Sequence, residues 1–147
     1  MKSLSIILIT GLLGLLTAQA DPVLSHTDLL RDIAKAKSVQ VCKIAPGESG
    51  LMRGKWQTLS NAKAKELIGI LANPASYIPG PRRCAFLPAY EVALSGRFGK
   101  LNIQYCFKCL DYQASLDGGV GHESQSFDPS AAALKGFFEG LNLKSAD

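Results

Sequence analysis

Apolar positions along the chain switch between helical and extended periods, and most of the switches carry a boundary signal. Leu29, Leu30 and Ile33 form a short apolar stripe; Ser25 stands where an N-cap belongs, with Asp28 at the third helical position and Leu24 placed to staple onto Leu29. The pattern predicts a helix over about 26–36. Residues 38–44 (Ser-Val-Gln-Val-Cys-Lys-Ile) then alternate like a strand, Val39 and Val41 on one face, Gln40 and Cys42 on the other. Residues 45–54 hold Pro46, Gly47, Gly50 and Gly54 and read as a loop. Lys55 to Leu59, with the only Trp, reads as a short extended segment. Ser60 is placed to cap a second helix, in which Ala64, Leu67, Ile68 and Leu71 give the i, i+3, i+4, i+7 spacing of one buried face. Asn73-Pro74 stops it.

After a loop with Pro79, Gly80 and Pro81, Tyr90, Val92 and Leu94 alternate with Glu91, Ala93 and Ser95. Leu101, Ile103, Tyr105 and Phe107 alternate with Asn102, Gln104, Cys106 and Lys108. Arg97-Phe98-Gly99 between them predicts a hairpin, with Gly99 suited to a left-handed turn position. Leu110 to Leu116 continues as strand with its parity slipped: a regular strand that buries Phe107 would also bury Asp111, whereas Leu110 and Tyr112 suit burial better. A bulge or bend is therefore expected near Phe107 to Cys109. Asp117 to Gly121 reads as a flexible turn. Asp128 and Pro129 open a last helix whose buried face is Leu134, Phe137, Phe138 and Leu141. The order predicts an α+β fold: a small antiparallel sheet of three or four strands around a central hairpin, packed by about three helices, in one domain over 21–147.

The first twenty residues belong to a different pattern. Lys2 precedes an apolar run from Leu4 to Leu16, too short to cross a bilayer comfortably, and the segment ends Ala18-Gln19-Ala20 before Asp21. This reads as a signal peptide over 1–20, cleaved near Ala20, which places the mature chain in the periplasm or outside the cell. No cysteine follows the run to take a lipid, and no later stretch is long enough to span a membrane. The whole chain has 147 residues, 47% hydrophobic and 19% charged, with a net charge of +4. Removing the segment leaves 127 residues and, without Lys2, a net charge of +3. The basic pairs Lys35/Lys37, Arg53/Lys55, Lys63/Lys65 and Arg82/Arg83 are scattered, which argues against a nucleic-acid partner. A chain of this size can bury a core without help from disulfides.

The four cysteines, Cys42, Cys84, Cys106 and Cys109, are the main candidate chemistry. In an exported chain an even count favours disulfides. A hairpin turning at Phe98 makes residues summing to about 195 or 196 face one another, so Cys84 comes near both Cys106 and Cys109. Either pairing is feasible, with Cys84–Cys109 preferred; Cys42 reaches Cys106 only if its strand lies beside the hairpin. A second reading is zinc held by Cys84, Cys106 and Cys109 with Cys42 or His122 as fourth ligand, since Cys106-Phe107-Lys108-Cys109 has the C-x-x-C spacing of zinc knuckles. A third is a redox-active C-x-x-C, with Lys108 between the thiols, although the motif lies between strands rather than at a helix N-terminus.

Other residues carry less. His26 reads as a surface or cap residue. His122-Glu123-Ser124 reads as a polar loop, though His122 with Glu123 or Asp111 is the nearest approach to hydrolase chemistry. Gly118 to Gly121 lacks the Lys-Ser/Thr of a phosphate loop. Glu91 and Asp111 could face each other from neighbouring strands, as a paired-carboxylate hydrolase would need. Trp56, Tyr77, Phe86, Tyr90 and Tyr105 read as core.

Cys84-Ala85-Phe86-Leu87-Pro88, followed by a strand pair ending Cys106-Phe107-Lys108-Cys109, resembles small exported or lipid-anchored bacterial proteins of unknown function that share C-x-F-x-P and C-F-x-C. The likeness covers about 55–141, with Trp56, Leu59, Leu71, Tyr77 and the final helix fitting it. It implies a shared fold and a shared cluster of Cys84, Cys106 and Cys109; Cys42 lies outside the pattern, and no activity is implied. The expectation is an exported, non-enzymatic domain that binds a protein or cell-envelope partner, as an inhibitor or immunity-type protein, without a cofactor. A metal-binding or thiol-redox protein built on the three cysteines is the alternative, and a small hydrolase the next.

Overall fold

Capping and apolar periodicity place three helices where the chain pattern puts them. In the computed structural model, which describes residues 23–80, 84–121 and 125–146, α1 spans His26–Ala34, α2 Asn61–Leu71 and α3 Ala131–Gly140. The expected signal peptide, Arg82/Arg83 and the His122-Glu123-Ser124 stretch lie outside the described residues. Ser25 caps α1: its Oγ accepts from the Asp28 N–H at 3.2 Å and donates to the Asp28 carboxylate at 2.7 Å. Ser25→Ala is expected to lower stability by about 1 kcal/mol, read as a shift in denaturant midpoint at unchanged slope. Ser60 caps α2, and Leu67 and Leu71 bury its inner face. Asp128 does not cap α3: Asp128–Ser130 forms a single 3-10 turn, with Pro129 inside it, and the helix proper starts at Ala131.

Among the described residues seven strands form one antiparallel sheet: β1 (Ser38–Gly47), β2 (Gly50–Arg53), β3 (Gln57–Thr58), β4 (Tyr90–Gly96), β5 (Gly99–Cys106), β6 (Asp111–Leu116) and β7 (Val120–Gly121). The order is β2-β1-β4-β5-β6-β7, and β3 also pairs with β1. The α+β class holds, but the sheet is larger than three or four strands. The first reason is the 45–54 segment, which is a hairpin rather than a loop. β1 runs on through Pro46, which pairs Leu51 after β1 has left β4, so its missing N–H costs no ladder bond there. Gly50, at φ +130°, ends the two-residue turn. The second reason is β7, which follows Asp117-Gly118-Gly119 directly.

The central hairpin keeps the expected register: Tyr90 faces Tyr105 and Gly96 faces Gly99, with Gly99 at φ +104°. The slipped parity after Phe107 has a stronger cause than a bulge. Residues 107–110 turn the chain back on itself, Leu110 taking φ +53°, and Cys106 pairs with Asp111 across the turn. This buries Asp111 and Tyr112 together, on opposite faces of β6. The helices cover the face made by Val39, Val41, Val92, Leu94, Leu101, Ile103, Tyr105 and Tyr112, with Leu29, Leu67, Leu134 and Phe138 packed onto it. The other face carries Cys42, Glu91, Gln104, Cys106 and Asp111.

Candidate functional site

The cysteine site is assembled by the hairpin turn and by the segment leading into β4. Phe107 anchors the turn in the core, its ring 5.2 Å from Phe127 and 5.8 Å from Tyr90. The Leu110 carbonyl accepts from the Phe127 N–H and from Ser126 Oγ, both at 2.9 Å. With the turn held there, Cys109 projects from it while Cys106 closes β5. Ala89 fixes the incoming segment: its N–H donates to Tyr105 at 2.9 Å and its carbonyl accepts from Ile44 at 2.8 Å. Cys84 thereby meets Cys109 in a disulfide with Cα atoms 5.8 Å apart, inside the range such bonds need. Cys109 Sγ also lies 3.2 Å from the Ala85 carbonyl oxygen.

Cys106 is free and fully buried. Its sulfur belongs to the same group: the sulfurs of Cys84, Cys106 and Cys109 all lie within 4.8 Å of one another. Exposure is graded through the group, with Cys84 exposed, Cys109 half-buried and Cys106 buried. When reduced, three thiolates at this spacing supply three of the four corners that zinc takes. Among the described residues no fourth ligand joins the set. Cys42 faces Glu91 on β1 and is not in the group, and His122 lies outside the described residues. β1 lies beside β4 rather than β5, which is why Cys42 does not reach Cys106.

Cys42 is a different kind of thiol. Burial pushes its pKa from 9.0 up to about 11, with the Glu91 charge adding to the rise and Arg53 opposing it. The unfolded chain gives up this proton near pH 9 and the folded chain does not until about pH 11. Stability is therefore complete below pH 9 and lost as pH rises towards 11, by at most about 3 kcal/mol for one proton. Tyr105 and Tyr77, both raised by burial, add to the fall above pH 10. Unfolding midpoints at pH 7.5, 9 and 10 are expected to show this slope, and Cys42→Ala to flatten its first part.

The polar face of the sheet holds a second feature. Glu91, 4% exposed, accepts from Arg53 Nε at 2.6 Å and from Gln104 Nε2 at 3.1 Å. A cavity of about 380 Å³ opens beside it, lined further by Asn102, Gln113 and Ser115. Glu91 and Asp111 are not neighbours: β5 runs between their strands, Glu91 opposite Gln104 and Asp111 opposite Cys106. The paired-carboxylate arrangement is thus not formed. His26 is more than a cap residue, its Nδ1 2.8 Å from the Tyr112 hydroxyl and its ring edge-on to Tyr77 at 4.7 Å. Tyr77 and Tyr105 are core, as expected, whereas Trp56, Phe86 and Tyr90 are only partly covered. Arg53 escapes a reading of the sequence because it sits among glycines in a stretch that looks like loop.

Fold and site together define an α+β domain whose antiparallel sheet is covered on one face by helices and carries a disulfide with a third thiol beside it. Comparisons of the chain with protein families, with curated proteins and with solved structures found no match. Among the described residues no helix is long and apolar enough to cross a membrane.

Proposed function

We propose that this is an exported protein, cleaved near Ala20 and working in the periplasm or beyond, that exchanges its Cys84–Cys109 disulfide with thiols of partner molecules. The observation that carries the reading is the three-sulfur group, one bond and one free thiol within 4.8 Å, with Cys84 at the surface. A disulfide that serves only as a staple needs no third sulfur beside it. The partner is then another exported thiol or disulfide, and the likeness to small exported proteins with the same three cysteines supports the same site.

The test is reaction of the oxidised protein with reduced glutathione. A mixed disulfide at Cys84 with Cys109 released is expected, and no adduct at millimolar glutathione would contradict the reading. Reduction is also expected to cost little stability. A loss near the value of about 3.5 kcal/mol that chain entropy assigns to a 25-residue separation would mark a structural bond instead.

A second reading, partner binding without thiol chemistry as an inhibitor or immunity-type protein, is supported by β2. All four of its residues are exposed, including Leu51 and Met52, and short strands of this kind offer a pairing edge. Retention of an envelope partner by the wild type and its loss on Leu51→Lys would favour that reading.

A further inference from the structure

We propose that Cys106 is an internal relay that moves the disulfide from Cys84–Cys109 to Cys106–Cys109 and so presents Cys84 as the protein's outward thiol. The inference rests on the exchange function above and adds the route by which an oxidised chain acquires a surface nucleophile.

The chemistry is a thiol–disulfide exchange within one chain. The Cys106 sulfur gives up its proton as it attacks Cys109 Sγ. The Cys106–Cys109 bond forms as the Cys84–Cys109 bond breaks; the electron pair leaves on Cys84 Sγ, which takes up a proton. One thiol and one disulfide stand on each side, so no outside oxidant or reductant enters.

Three observations favour this direction. The attacking sulfur is already within 4.8 Å of both bonded sulfurs, so no strand has to move to bring it into the group. Cys106 closes β5 and Cys109 is the third residue of the 107–110 reversal that follows it, so the two sulfurs to be joined lie around one turn, within 4.8 Å of each other. The departing sulfur is the exposed one: Cys84 lies at the surface, while Cys106, buried and sealed off from a large partner, gains nothing as a free thiol. Cys42 takes no part, being buried on β1 outside the group.

The four cysteines fall on separate tryptic peptides, because Lys43, Arg83, Arg97, Lys100, Lys108 and Lys135 bracket them; Lys108 cuts between Cys106 and Cys109. The purified oxidised protein is incubated with iodoacetamide under native conditions without reductant, then digested and mapped. The expected result is a label on Cys84 (peptide 84–97), with peptides 101–108 and 109–135 joined by a disulfide. Labelling of Cys84 is expected to fall at least tenfold in Cys106→Ala and in Cys106→Ser. If neither variant folds, the wild-type map decides alone. A label on Cys109, a label on Cys106 alone, or no label on any of the three overturns the relay. A chain that forms a glutathione adduct at Cys84 yet shows no Cys84 label in this experiment keeps the exchange function and loses the relay. Failure of the glutathione reaction removes the function itself.

Discussion

Phe138→Ala is expected to destabilise the fold by about 3–5 kcal/mol, the largest effect of any single truncation considered. Phe138 is 1% exposed and sits where α3 meets the sheet. Its ring stacks on Tyr90 at 4.5 Å and lies edge-on to Phe137 at 5.9 Å and to Phe107 at 6.2 Å. Removing it opens a cavity walled by these rings and by Tyr105, which cannot close without moving the helix or the turn. The cost also reaches the cysteine site, because Phe107 anchors the 107–110 turn from which Cys109 projects. Phe138→Ala is therefore expected to lower the denaturant midpoint and also to raise the reactivity of Cys106, while Leu141→Ala, at the half-buried C-cap of the same helix, does much less.

Arg53→Ala is expected to cost about 2 kcal/mol. Glu91 has almost no contact with water, and Arg53 is its charged partner at 2.6 Å. Removing one member of a fully buried pair costs about 3–5 kcal/mol, because a charge is left without compensation. Arg53 is itself 47% exposed at its side chain, so water entering its place recovers part of that, which sets the lower figure. Glu91→Gln removes the charge that needs compensation. The double variant Arg53→Ala/Glu91→Gln is accordingly expected to be more stable than Arg53→Ala alone, and a double-mutant cycle from equilibrium unfolding measures the coupling. Additive losses would show that the pair contributes nothing beyond its separate contacts.

Much of this arrangement is written in local sequence signals. Ser25 and Ser60 mark the starts of α1 and α2, and the alternation around Phe98 sets a register in which Tyr90 meets Tyr105. That register brings Cys84 close to Cys106 and Cys109, and the preferred Cys84–Cys109 pairing is the one formed. The misreadings have physical causes. Pro46, Gly47 and Gly50 look like breakers, yet they sit beyond the end of β4, where the sheet tolerates them, so β2 goes unseen. The reversal at 107–110 has no glycine to announce it; Leu110 adopts the left-handed conformation because tertiary contacts to Phe127 and Ser126 hold its carbonyl. Glu91 and Asp111 alternate with apolar neighbours along their strands, but the Arg53 side chain of β2 reaches Glu91 and the segment around Ser126 pairs beside Asp111, and both carboxylates are buried. Nothing local in the chain encodes those contacts. The third sulfur is of the same kind: C-x-x-C spacing brings Cys106 and Cys109 together, but only the turn decides that Cys106 is enclosed and that Cys84 stays outside.

The central claim, that the Cys84–Cys109 bond is a working disulfide, is tested most directly by its reduction potential in graded thiol–disulfide buffers, with the redox state of Cys109, bonded whether or not Cys106 has taken the place of Cys84, read by alkylation and mass. A value above about −250 mV, among the exchange-active disulfides, is the predicted result; a value below about −300 mV, where structural bonds of exported proteins lie, would contradict it.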